Sequence, residues 1–216
     1  MSVVFVDLEM KPIAKEWPKE KKLYSMETLQ FGAVKLEGGT ETDTFCRVVR
    51  PAFGPVPPRY EALTGITNAV AEAADPYAEV LADFIAWCAD AEAVYAWSTS
   101  DMAQLRRDAG LHPEAPALDP LVKVWGDYQK IFTSKLGLHR ELSLKQALEI
   151  VDLPFEGHMH DALWDSRNTA ALYRLSLDEA RWKQATAHLK KTVNNDAPVT
   201  FSLASLFAGL DLGEDK

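Results

Sequence analysis

The chain has 216 residues, 47% hydrophobic and 25% charged, the composition of a globular domain long enough to bury a sizeable core. Its 23 Lys and Arg against 32 Asp and Glu leave a formal net charge of -9, which disfavours gripping long nucleic-acid duplexes through bulk electrostatics. Cys46 and Cys88 are the only cysteines, so the C-x-x-C spacing of a zinc knuckle or thioredoxin-type site is excluded.

The chain opens MSVVFVDLEM. Residues 3–6 are an unbroken β-branched and aromatic run, expected of a strand covered on both faces. Side chains alternate along a strand, so Asp7 and Glu9 share one face while Leu8 takes the other. Two acids that close repel unless something positive lies between them, and a divalent cation is the simplest candidate. KPIAKEWPKEKKLYS then reads as a polar loop. It holds Lys11, Lys15, Lys19, Lys21 and Lys22 against Glu16 and Glu20, so it is basic within an acidic protein.

METLQFGAVKL is expected to form a second strand, with Gly38 and Gly39 turning it into a third over residues 42–49. PAFGPVPPRYEALTGIT is a Pro-rich connection ending in a short helix or turn. Val80, Leu81, Phe84, Ile85 and Cys88 have helical spacing within residues 76–89, and residues 92–97 read as a fourth strand. A helix starting at Asp101 should run to Ala109 and stop at Gly110. Further helices are expected over residues 121–130, over 143–151 with Ser143 as N-cap, from near Asp161 into the 170s, and over 177–190. A hairpin followed by a helical crossover makes this an α/β domain with a mixed sheet. The texture changes at NNDAPVTFSLASLFAGLDLGEDK, which divides the chain into a domain over 1–192 and a tail over 193–216 whose apolar residues dock on the domain or on a partner. No apolar stretch approaches the roughly 20 residues that span a bilayer. With no signal-peptide pattern ahead of Asp7, the expectation is a cytoplasmic protein with buried, free thiols.

Two later stretches bear on the opening acids. YAWSTSDMAQL places Asp101 where a strand ends and a helix begins, at the carboxyl-end crevice in which open α/β sheets build sites. Its structural alternative is a helix-start acid favoured by the macrodipole. In GHMHDALWDSRNTAAL, His160 precedes a helix and Asp165 follows five positions later. Thr169 and Leu172, at i+4 and i+7, turn the Asp165 face inward. Asp161 reads as the helix cap and His158 as a loop residue. Four oxygen donors without cysteine describe a hard-metal site for Mg²⁺ or Mn²⁺. Two such ions about 3.5–4 Å apart stabilise the attacking and leaving oxygens of a phosphodiester displacement. The imidazole of His160 is suited to take a proton from the attacking water.

V-F-V-D-L-E-M, S-D-M-A-Q-L and H-D-A-L-W-D-S-R-N-T-A, in that order between Ser2 and Arg174, resemble the three motifs of the DEDDh (DnaQ-like) 3′→5′ exonucleases. Y-E-A-L-T-G-I-T resembles the family's loop near the terminal nucleotide. The flavour is that of histone-mRNA 3′ exonucleases and KapD-type bacterial sporulation regulators, with Ser98 where that subgroup often has Gly. The resemblance implies a ribonuclease H-like fold with a mixed five-stranded sheet flanked by helices. It implies Asp7, Glu9, Asp101 and Asp165 as ligands of two Mg²⁺ or Mn²⁺ ions, with Asp7 bridging both and His160 as general base. Met10, Leu63 and Thr64 would lie against the terminal nucleoside. The expected activity is stepwise hydrolysis from the 3′ ends of single-stranded nucleic acid, RNA favoured over DNA. A DNA proofreading or repair exonuclease stays open, because sugar choice rests on contacts to the 2′-OH. So does a regulatory binding module on the same fold. A homodimer, or a regulatory protein partner reached through the tail, is open as well, and no membrane partner is expected.

Overall fold

The computed structural model describes residues 2–189; the 193–216 tail lies outside them. The first half of the chain supplies β1 (Ser2–Pro12), α1 (Pro18–Leu23), β2 (Met26–Glu37), β3 (Thr40–Arg50), α2 (Pro58–Thr64), α3 (Asn68–Glu72), β4 (Asp75–Pro76), α4 (Tyr77–Trp87), β5 (Ala91–Ala96) and α5 (Ser100–Leu111). The second half adds α6 (Asp119–Val122), β6 (Trp125–Asp127), α7 (Tyr128–Lys135), α8 (Leu144–Ile150), α9 (Ala162–Leu177) and α10 (Glu179–Ala185). The strands form one mixed sheet in the order β4-β3-β2-β1-β5-β6. β1 pairs antiparallel with β2 and parallel with β5, which leaves it central and covered on both faces.

The alternation of β1 sorts its side chains between two cores. Val4, Val6 and Leu8 join Phe31, Phe84 and Leu105 under α4 and α5. Phe5 points the other way, into the core formed with Val34, Phe132 and Leu172 under α7 to α9. Phe5, Phe31 and Phe84 are fully buried, and each such ring contributes about 1.5–3 kcal/mol relative to exposure. Asp7 and Glu9 keep the parity of Phe5, so they emerge on the α9 side.

The mixed α/β architecture is as expected, with six strands in place of five. Residues 121–130 are not one helix: Trp125 to Asp127 pair with Val94 to Ala96 as β6, and the Asp127 carboxylate caps α7 by accepting the Lys130 N–H. The added edge strand β4 is two residues long, too short to carry a pattern. The Lys-rich segment holds the short helix α1, with Pro18 in its first turn, where a missing N–H costs nothing. Helix α5 runs through Gly110 to Leu111. A Cβ at Gly110 would lie 2.9 Å from the Tyr24 hydroxyl oxygen, so this glycine serves close packing and not termination. Ser143 does cap α8, in a capping box with Gln146. Both cysteines are free, with Cys88 buried; Cys46, expected buried, is exposed because alternation along β3 turns Phe45 inward instead. Among the described residues no helix is long and apolar enough to cross a membrane.

Candidate active site

The cross-strand register sets the floor of the site. Asp7 stands opposite Gly32 and Glu9 opposite Gln30 on β2, with a register shift between Glu9 and Met10. Such bulges end regular pairing and re-aim side chains. On the other side β5 stops at Ala96, opposite Val6. The Leu8 N–H lies beyond that last pair and donates to Asp101 Oδ1 at 3.1 Å. This bond draws the buried Asp101, in the first turn of α5, against the strand between the two opening acids.

Helix α9 delivers the remaining groups, and β2 decides where it starts. A Cβ on Gly32 would lie 2.1 Å from the Ala162 carbonyl carbon, so only glycine lets the helix backbone come this close. The Ser166 hydroxyl donates to the Gly32 carbonyl at 2.6 Å and can also reach Ala162 O at 2.7 Å. The Ala162 N–H reaches Gln30 Oε1 at 3.4 Å, and Arg167 pairs with Glu41 of β3 at 2.7 Å. Asp161 caps the helix, accepting from the Leu163 and Trp164 N–H groups. Thr169 and Leu172 are buried, as the inward face required. His160 adopts a left-handed backbone at φ 65, uncommon for a residue with a side chain, and its N–H donates to Asp165 Oδ2 at 3.1 Å. His158 is an exposed loop residue whose Nδ1 meets the Met159 carbonyl.

Asp7, Glu9, Asp101 and Asp165 therefore converge. Burial, then the charges of Asp101, Asp165, Glu9 and Asp161, hold the Asp7 carboxyl well above the usual range. Burial and the charges of Asp165, Asp161 and Asp101 push Glu9 up to about 8. Asp101 and Asp165 are raised to about 6, again by burial, against the opposing N–H donations from Leu8 and His160. The neighbouring charges that raise Asp7 and Glu9 are all those of other acids. Such a site binds protons or a cation. Ligand atoms of Glu9, His160 and Asp165 lie within 4.8 Å of one another, and the oxygen-rich donor set fits a hard divalent ion.

The expected nucleoside contacts are less uniform. Met10 is half-buried against the core, Leu63 is exposed, and Thr64 is buried with its hydroxyl donating to the Tyr60 carbonyl. Ser98, in the turn before α5, and Ser100, the first residue of that helix, bond to each other and displace no acid. Gln30, Gly32 and Ser166 are the residues that sequence reasoning passed over. The one signal for them was a glycine inside an apolar strand, which marks a close backbone approach.

The model of the exonuclease (RNase T) family matches residues 4–173. The chain belongs to the DnaQ-like exonuclease family. It is 29% identical over 157 residues to DNA polymerase III subunit epsilon of Aquifex aeolicus (strain VF5), covering 73% of this chain and 75% of that protein. The nuclease domain of 3′hExo, a DEDDh family member bound to rAMP, superposes with a TM-score of 0.71 at 23% identity, over 83% of this chain and 94% of that one. A 3′-exonuclease structure showing 3′-end specific recognition of a histone mRNA stem-loop gives 0.70 at 22% identity, over 82% and 63%. At these identities the structural likenesses show a shared fold, the mixed sheet flanked by helices of these exonucleases.

Proposed function

We propose that the protein is a divalent-metal-dependent 3′→5′ exonuclease that shortens single-stranded nucleic acid from its 3′ end, RNA favoured over DNA. The observation that carries this reading is the convergence of four acids and His160 over the carboxyl-terminal half of β1. Asp7, Glu9, Asp101 and Asp165 would hold two Mg²⁺ or Mn²⁺ ions, Asp7 serving both. Bound there, the ions supply charge stabilisation at phosphorus. His160 stands exposed beside Asp165 and takes the proton of the attacking water. Met10, Leu63 and Thr64 border the terminal nucleoside. The exonuclease domain spans 1–192, and 193–216 is a docking tail.

The preference for RNA, and membership of the histone-mRNA and KapD-like subgroup, draw support from the fold shared with an rAMP-bound nuclease and a histone mRNA stem-loop exonuclease. A second reading, DNA proofreading, is favoured by the likeness to a DNA polymerase III subunit.

The test is a degradation ladder on 5′-labelled single-stranded RNA and DNA, with Mg²⁺, Mn²⁺ or chelator, for the wild type and Asp7→Asn. Metal-dependent shortening from the 3′ end, lost in the variant, is the expected result, and the faster substrate names the sugar. An active, folded Asp7→Asn protein would overturn the metal assignment. His160→Ala is expected to slow turnover about 10²–10⁴-fold while calorimetric metal binding persists; weakened metal binding would make His160 a ligand.

A further inference from the structure

Past Glu9, β1 runs into a segment that hydrolysis at the 3′ terminus does not use. Lys15, Lys19, Lys21 and Lys22 are exposed, and none forms a salt bridge among the described residues. Glu16 and Glu20 are the only acids among residues 15–22, so this stretch is cationic in a chain of net charge -9. Between them Trp17 stands 41% exposed, its ring set edge-on to Phe53 at 5.6 Å. A large aromatic held in place and left in water is free to stack.

The segment is fastened to the Pro-rich connection. Ala14 N–H donates to the Phe53 carbonyl at 2.9 Å. Gly54, at φ 98, is the site where a Cβ would meet the Ala14 methyl at 2.4 Å. Lys11 is not part of the cationic surface: it is buried against Glu27 at 2.6 Å, and Glu27 accepts the Ala52 and Phe53 N–H groups. Between the two stretches lies a cleft of about 510 Å³, walled by Pro12 to Glu16 on one side and Pro55 to Pro58 on the other, with Lys21 also lining it. Helix α2 begins at Pro58, in the cleft wall, and ends at Thr64, about 9 Å further on.

We propose that this cleft and the exposed surface of residues 15–22 beside it form an upstream subsite for single-stranded nucleic acid, in which Lys15 and Lys21 at the cleft and Lys19 and Lys22 next to it meet phosphates and Trp17, outside the cleft lining, stacks on a base. The proposal rests on the exonuclease reading and adds where the strand lies before its end enters the site. The chemistry is complementary on three counts. Four carboxylates repel a polyanion, and a strand drawn toward them gains from cations nearby. Proline and valine walls suit the apolar faces of base and sugar, while the lysines stand at the exposed margin. Stacking on an aromatic tolerates any base, as a stepwise enzyme requires.

The test measures fluorescence anisotropy of labelled single-stranded RNA and DNA dodecamers in chelator, against salt, for the wild type, a K15Q/K19Q/K21Q/K22Q variant and Trp17→Ala. The lysine variant is expected to flatten the slope of log affinity against log salt by about 3, at roughly 0.7 for each phosphate no longer neutralised. Trp17→Ala should weaken dodecamer binding about tenfold. Both should hydrolyse a dinucleotide at the wild-type rate in Mg²⁺. Unchanged dodecamer affinity and slope in the folded variants would overturn the proposal. So would displacement of the dodecamer by a poly-glutamate peptide as effective as unlabelled strand, which would assign the surface to an acidic protein. Because binding is read in chelator, a wild type that binds through these residues yet shortens nothing would refute the exonuclease reading and leave the subsite standing.

Discussion

The carboxylate of Asp101 accepts a 3.1 Å hydrogen bond from the N–H of Leu8, the residue that separates Asp7 from Glu9. One acid is thereby tied to the backbone between the other two. The bond depends on β5 ending at Ala96, since a longer strand would claim that N–H for its own ladder.

Asp101 thus holds a charge and a hydrogen bond that substitution can separate. Asp101→Asn keeps an acceptor for Leu8 and removes the charge; it is expected to cost about 10²–10³-fold in turnover with the fold unharmed. Asp101→Ala also strands the buried N–H, and should be less stable than the Asn variant by about 1–3 kcal/mol. Chemical denaturation of both variants beside the nuclease assay checks the two statements separately. Equal stabilities would show that the Leu8 bond contributes nothing net.

The raised carboxyls make a statement about pH. Each is protonated more readily folded than unfolded, so the metal-free protein loses stability as pH rises from the ordinary carboxyl value through the folded one. With Asp101 and Asp165 near 6, Glu9 near 8, and Asp108 of α5, raised by its burial against the hydrogen bonds from Thr28 and Gln104, near 7, the window runs from about pH 4 to 8. Thermal melting in chelator should fall on the order of 5 °C across it. Mg²⁺ should restore more at pH 8 than at pH 5, because deprotonated acids bind the cation. A melting temperature that rises with pH in chelator would contradict the burial of these groups.

Gly32 lies opposite Asp7 and under the first turn of α9. Gly32→Ala should push the helix off the sheet, costing about 1–3 kcal/mol, and should lower turnover further because Asp165 and His160 move with the helix. Urea denaturation gives the first quantity. Residual activity measured where the variant is still folded gives the second. Wild-type activity in that variant would show that the helix start can shift without consequence.

Lys11 and Glu27 form a buried ion pair, 0% and 2% exposed at the side chain. Removing one charge strands the other, so Glu27→Gln should destabilise by about 3–5 kcal/mol. Lys15→Gln, on the exposed surface, should change stability by less than about 0.5 kcal/mol. The comparison separates the one structural lysine of the segment from those free to meet a strand. Comparable losses from both substitutions would contradict that division.

Much of the site was legible because its logic is local. Period-two alternation put Asp7 and Glu9 on one face of β1, and Ser143 and Asp161 announced their helices through the N–H groups that every helix start leaves open. The inward face of α9 followed from residues one and two turns along. Residues 121–130 misled for a related reason: Trp125 to Asp127 are strand only because β5 offers them an edge, and a three-residue pairing leaves no periodic trace. Gly110 read as a helix stop because the Tyr24 ring that needs its space belongs to a different part of the chain.

By itself, then, the sequence determined which residues could do chemistry and which face of its own element each would occupy, since side-chain direction follows from backbone period. Only the tertiary structure decided that those faces meet. That decision rests on contacts between distant residues: Leu8 with Asp101, Gly32 with Ala162, Ser166 with the Gly32 carbonyl. Each is a hydrogen bond or a close approach that exists only once the sheet has formed, and no spacing along the chain encodes it.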